Sequence, residues 1–174
     1  MKVLFRRSDG RLLGAQALGE EGVEKRIDVL SMALQLGGTV HDLAETELCY
    51  APQFGAAKDP VNLAGFIAEN VRNGDMPVAP WEDVDAPDGR VLDVREPAEV
   101  ALGAIPGAIQ IPLHQLRKRL GELPRGQVLR VCCAVGQRAY YAVRLLRQNG
   151  YDARQLSGGY QTWKTLASTG PRAT

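Results

Sequence analysis

The chain has little of what many functional classes require. It holds three cysteines, an odd number, and two of them, Cys132 and Cys133, are adjacent. That excludes a disulfide framework and suits a reducing compartment, so a cytoplasmic location is expected. Two histidines, His41 and His114, and a separate Cys49 offer no metal-ligand spacing, and no metal is expected. Charge of one sign is missing: 21 Lys and Arg against 20 Asp and Glu leave +1, which gives no electrostatic case for nucleic acid or an anionic membrane. No apolar run approaches a membrane span, and Met1 to Arg7 lacks the core of a signal peptide. No glycine pattern matches a dinucleotide or phosphate-binding loop; Gly158-Gly159 is too short. Internal repeats and low-complexity tracts are absent. What remains, 45% hydrophobic and 24% charged residues over 174, is the composition of one or two small folded domains.

The pattern of the first half reads as α+β. Lys2 to Arg7 and Arg11 to Leu18 are expected strands joined by turn residues Ser8-Asp9-Gly10, hence an antiparallel hairpin, with Gly14 marking a bulge or a close approach. Gly22 to Leu36 reads as a helix, with Val23, Ile27, Leu30 and Leu34 on one face, ended by Gly37-Gly38. Val40 to Leu48 fits a short helix around Asp42 to Glu45 or an extended piece. Asp59 and Pro60 are the N-cap and first residue of a helix running to Asn73. Two faces compete for its interior: Val61, Ala64 and Ala68, or the more apolar Leu63, Phe66, Ile67 and Val71. Gly74 to Gly89, with Pro77, Pro80 and Pro87 among Asp83, Asp85 and Asp88, reads as a domain junction, with Trp81 as an anchor for the linker. Units 1–74 and 75–174 follow.

The second half alternates short strands and helices, which implies a parallel α/β sheet. Strands are expected at Arg90 to Val94, Ala108 to Ile111, Val128 to Cys132 and Ala153 to Leu156. Helices are expected at Glu96 to Leu102, Leu113 to Leu120, after Arg138, and Tyr160 to Leu166. Ligands bind beyond the carboxyl ends of strands in such sheets. Asp93 and Cys133 both stand there, Asp93 either orienting the cysteine loop or Arg95, or capping a turn. Cys132 lies inside its strand and reads as a small buried hydrophobe. Cys133 stands between strand end and helix start, followed by Ala134-Val135-Gly136-Gln137-Arg138. Unpaired first-turn N–H groups, the positive end of the helix dipole and the charge of Arg138 all favour an anionic thiolate, the nucleophilic form. The same N–H groups can cradle a small anion. Arg138 has a second reading, a surface salt bridge.

Four segments in order carry a resemblance: Leu92-Asp93-Val94-Arg95-Glu96-Pro97-Ala98-Glu99, then Gly103-Ala104-Ile105-Pro106-Gly107-Ala108, then Cys133 to Arg138, then Leu156-Ser157-Gly158-Gly159-Tyr160-Gln161-Thr162-Trp163. Together they resemble a rhodanese (sulfurtransferase) domain, a parallel sheet flanked by helices. The resemblance implies that Cys133 carries sulfur as a persulfide, taken from thiosulfate or a persulfide and passed to a thiol acceptor. The six-residue loop matches members that handle sulfur. Phosphatase-like members place arginine six positions after cysteine, where this chain has Ala139, which argues against phosphate or arsenate chemistry. Ala134 stands where thiosulfate-using members often have arginine, and Ala104 where a histidine is common; the first leaves less positive charge for a dianionic donor.

Gly10-Arg11-Leu12-Leu13-Gly14-Ala15-Gln16, Tyr50-Ala51-Pro52-Gln53-Phe54 and Lys58-Asp59-Pro60-Val61-Asn62 resemble the C-terminal dimerisation domain of pyridine nucleotide-disulfide oxidoreductases, and within that family the coenzyme A-disulfide reductases, some of which carry a rhodanese domain. The resemblance begins partway into that domain, so the chain looks like the back end of such a protein, as a piece of one or as a separate gene product. FAD and NAD(P)H belong to domains of full-length relatives that have no counterpart here; no cofactor and no reductase activity of its own are implied for this chain. Tyr50 matches a tyrosine near the partner subunit's flavin; it reads equally as a packing residue at a turn, and Cys49 beside it as structural. The resemblance implies a homodimer or docking to a flavoprotein, and makes a coenzyme A persulfide a reasonable sulfur partner. Two functions follow, a sulfurtransferase or a non-catalytic dimerisation or docking module.

Overall fold

A computed structural model describes residues 1–168. The chain divides into two compact units, Met1–Asp75 and a second beginning at Met76.

In the first unit, β1 (Lys2–Phe5) pairs antiparallel with β2 (Leu12–Gln16). Leu4 stands opposite Gly14 and Phe5 opposite Leu12, so Leu13 is the extra residue of a bulge beside Gly14. Both strands are shorter than the sequence pattern suggests. Arg6 N–H already donates to the Arg11 carbonyl, and Gly10 N–H to Arg6, which turns the chain at once. Helix α1 (Val23–Gln35) buries Leu30, with Ile27 and Leu34 packed against the same core. The ambiguous stretch after it is a helix, α2 (Val40–Glu45), because Thr39 and Asp42 form a capping box; the chain turns extended at Thr46. Helix α3 (Pro60–Arg72) starts at Asp59, as the Asp-Pro pair implies.

The face that α3 buries is the less apolar one. Val61, Asn62, Gly65 and Ala68 are inside, while Leu63 is 49% and Ile67 54% exposed. Close approach of two helices decides this. A Cβ on Gly65 would strike the backbone of Ala44 and Leu43 on α2, so only small residues fit that contact. The Asn62 side chain donates to the carbonyls of Leu43 (3.1 Å) and Thr46 (2.8 Å), closing the C-terminal end of α2.

The second unit is a five-stranded sheet with helices around it: β3 (Val78–Ala79), β4 (Gly89–Asp93), α4 (Pro97–Ala101), β5 (Ile109–Gln110), α5 (Leu113–Leu116), β6 (Val128–Cys132), α6 (Gln137–Gln148), β7 (Ala153–Leu156) and α7 (Gly159–Ser168). The strand order is β3-β7-β6-β4-β5, every neighbouring pair parallel. β6 lies at the centre and is buried along its whole length. Part of the presumed linker belongs to the fold. Val78 and Ala79 form the edge strand against β7, and Trp81 Nε1 donates to the Ser157 carbonyl at 2.7 Å. Helix α5 stops four residues short of the expected Leu120; a separate helical turn covers Leu120–Glu122, and Leu123 is extended before Pro124.

Candidate active site

The central strand delivers Cys133. Its carbonyl accepts Tyr160 N–H at 2.7 Å, and that of Ala134 accepts Gln161 N–H at 3.1 Å, so the first turn of α7 clamps the start of the cysteine loop. Gly159 permits the clamp: at φ +65°, a Cβ there would lie 2.5 Å from the Cys133 oxygen. The loop closes at Gly136, whose φ of +128° few side chains adopt, and whose N–H donates to Cys133 Sγ at 3.1 Å. The Gln155 side chain from β7 packs beneath Gly136, 2.9 Å from where a Cβ would be. Cys133 is 1% exposed, beneath its own loop, and Val135 forms the outer crest at 58%. Of the five residues read as loop, Gln137 and Arg138 are already the first two of α6.

Arg138 is the residue that departs most from the expectation of a free charge beside the thiol. Its Nη1 lies 2.6 Å from Glu99 Oε2 and its Nη2 2.7 Å from Oε1, a two-point pair with α4. The Arg138 guanidinium holds the Glu99 carboxyl down to about 2. Glu99 in turn raises Arg138, with the Cys133 thiol a lesser partner of the same guanidinium. The salt-bridge reading is therefore the observed one, at the loop rather than away from it.

Asp93 and Arg95 form a second pair, fully inside. Arg95 Nη2 is 2.6 Å from Asp93 Oδ2, Nε reaches both carboxylate oxygens at 3.0 Å, and Arg95 N–H caps Oδ1 at 3.1 Å. Asp93 stands opposite Cys132 in the β4–β6 register, and interacts with that thiol. Burial, with Asp93 adding to it, pushes the Cys132 thiol well up, which suits the inert role read from its position in the strand. Arg95 also donates to the Gly103 carbonyl at 2.9 Å and lies 3.9 Å from the centre of the Tyr160 ring, which stacks on Trp163. A run of contacts links Asp93 to the loop through two residues: Asp93 pairs with Arg95, Arg95 lies over the Tyr160 ring, and the Tyr160 N–H donates to the Cys133 carbonyl.

Cys133, Ala134, Val135, Gly136, Gln137 and Arg138 come together, with Asp93 and Arg95 behind them. Tyr50 lies in the other unit, in an irregular stretch, 54% exposed. Three residues to which sequence pattern assigns no role complete the site: Glu99, Gly159 and Tyr160. Only Glu99 has a local signal, the capping-box spacing with Glu96.

The first unit's sheet is the antiparallel pair β1–β2, not the parallel strand–helix–strand unit that cradles a dinucleotide pyrophosphate. Among the described residues no group of three or more His, Cys, Asp or Glu could hold a metal, and no helix is long and apolar enough to cross a membrane.

Residues 80–166 match the rhodanese-like domain family, and residues 1–60 the dimerisation domain of pyridine nucleotide-disulphide oxidoreductases. A sulfurtransferase from Allochromatium vinosum is 39% identical over 80 residues, which is 45% of this chain and 75% of that protein. A coenzyme A disulfide reductase from Staphylococcus epidermidis is 45% identical over 69 residues, 40% of this chain. The crystal structure of reduced CoADR-RHD from Bacillus anthracis superimposes with a TM-score of 0.90 at 39% identity, covering 96% of this chain. The chain spans only 16% of the length of that reductase and 30% of the Bacillus protein.

Proposed function

We infer the function from one premise, that this chain belongs to the rhodanese-like domain family with an oxidoreductase dimerisation domain ahead of it: it is a sulfurtransferase that carries sulfane sulfur on Cys133 and passes it to a thiol. The observation that carries this reading is Cys133 Sγ held at the end of the central strand, beneath a loop whose Gly136 N–H donates to it. The Cys133 thiolate attacks the terminal sulfur of a donor. A bond forms from Sγ to that sulfur as the donor's own bond to it breaks, and the leaving group departs with the electron pair. Cys133 then holds a persulfide anion, whose charge the loop N–H groups stabilise. A thiolate acceptor attacks the outer sulfur and Cys133 leaves as a thiolate, so no external oxidant or reductant is needed. Because Cys133 lies beneath its loop, a donor presenting a narrow terminal sulfur end-on suits the site. Coenzyme A is a reasonable acceptor, from the resemblance to coenzyme A-disulfide reductases. Transfer of sulfur to coenzyme A, followed by mass spectrometry of the coenzyme A persulfide, is expected with the native chain and abolished by Cys133→Ala; normal turnover in that variant would overturn the mechanism.

A second reading, assembly, draws on the outward side of α3. Leu63 and Ile67, one turn apart, are both exposed, and Phe54 is 85% exposed. A side chain pair of this kind suits self-association or docking to a flavoprotein. It is compatible with sulfur transfer and needs no flavin in this chain.

A further inference from the structure

We propose that Glu99 sets which sulfur donor Cys133 accepts: by pairing with Arg138 it removes the loop's cation from service and tunes the site to a singly charged donor with an apolar body, against a dianion such as thiosulfate. This rests on the reading of Cys133 as a sulfur carrier.

From Ala134 to Gln137 no side chain is charged, so Arg138 is the one cation that the loop segment supplies. Its guanidinium is engaged at two points by Glu99, at 2.6 and 2.7 Å. Arg95 is similarly spent on Asp93 and the Gly103 carbonyl. The Arg138 guanidinium therefore meets the Cys133 thiol already paired with a carboxylate. The loop segment itself then offers an incoming anion the partial positive charge of the N–H groups at the start of α6, roughly half an elementary charge. That suffices for one negative charge beside a thiolate better than for two. Glu99 does not depend on Arg138 for its orientation: its Oε2 also accepts Glu96 N–H at 3.0 Å, in the first turn of α4. It is held in place to receive the arginine. Two exposed apolar side chains flank the paired residues in the chain, Val135 at the crest of the loop and Leu102, three residues after Glu99 and 90% exposed.

Thiosulfate and benzenethiosulfonate make a matched pair of probes. Each gives one sulfur to the thiolate: the Sγ–S bond forms, the donor's S–S bond breaks, and sulfite or benzenesulfinate leaves with the electron pair. They differ in charge, two against one, and in the phenyl ring. The rate of sulfur gain on the full chain is followed by intact mass for each donor. The native chain is expected to prefer benzenethiosulfonate. Glu99→Gln frees Arg138 and is expected to raise the thiosulfate rate about tenfold or more relative to benzenethiosulfonate, with a gain that added salt erodes. Arg138→Gln leaves Glu99 unpaired and should move the ratio the other way, and the double variant should return it towards native. Glu122→Gln changes net charge equally, on a carboxylate paired with Arg119 elsewhere in the unit, and should leave the ratio alone. An unchanged ratio in both single variants while Cys133 still loads would overturn the role of Glu99 and leave the carrier reading standing. A native chain that prefers thiosulfate would also overturn it. A chain that loads from neither donor would remove the carrier reading and this inference with it.

Discussion

Glu99 and Arg138 sit 39 positions apart and meet at the lip of the cysteine loop. Their pairing has a consequence for stability that depends on pH. Glu99 titrates near 4.5 when unfolded and is held at about 2 when folded. Its stabilising contribution is thus fully present above the unfolded value and is lost as pH falls through the folded one. Thermal unfolding of the native chain and of Glu99→Gln should differ by a constant amount from neutral pH down to about 5, and the two should converge as pH approaches about 2. A gap of the same size at both ends would mean that the pair adds nothing to the fold. The position of Cys133 between strand and helix was legible from sequence because a strand pattern ends on it and a helix pattern follows. Its hydrogen-bond donor was not, since that depends on Gly136 taking φ +128°. The state of Arg138 was not legible either, because a partner so distant in sequence leaves no local trace.

At the scale of elements, α3 teaches the most. The sequence left two faces open, Val61, Ala64 and Ala68 or the more apolar Leu63, Phe66, Ile67 and Val71, and the helix buries Val61, Asn62, Gly65 and Ala68. Close approach to α2, not hydrophobicity, selects the face. Gly65→Ala should therefore destabilise the first unit by about 1–3 kcal/mol, as overpacking does, read as a lower denaturant midpoint with an unchanged slope. Stability equal to native would show that α2 and α3 can part without cost. The Asp59-Pro60 cap started α3 where expected, whereas the Thr39–Asp42 capping box that makes α2 a helix went unread in the sequence. The parallel order of the second sheet followed from the alternation of strands and helices. Val78–Ala79 escaped because two residues among prolines carry no period; only pairing with β7 makes them a strand.

At the scale of the whole molecule, the unit proposed to carry sulfur follows one whose α3 exposes Leu63 and Ile67. Leu63→Glu combined with Ile67→Glu should shift sedimentation from dimer to monomer while sulfur loading on Cys133 stays at native rate. An unchanged mass would place association elsewhere or deny it. Intact mass tests the proposed persulfide on Cys133 most directly. After exposure to polysulfide, the native chain should gain one sulfur, lost on adding a reductant, and Cys133→Ala should gain none at that site although Cys49, which is exposed, is still present. Equal, reversible gain in both proteins, or no gain with any donor, would contradict the account and leave assembly as the function of the chain.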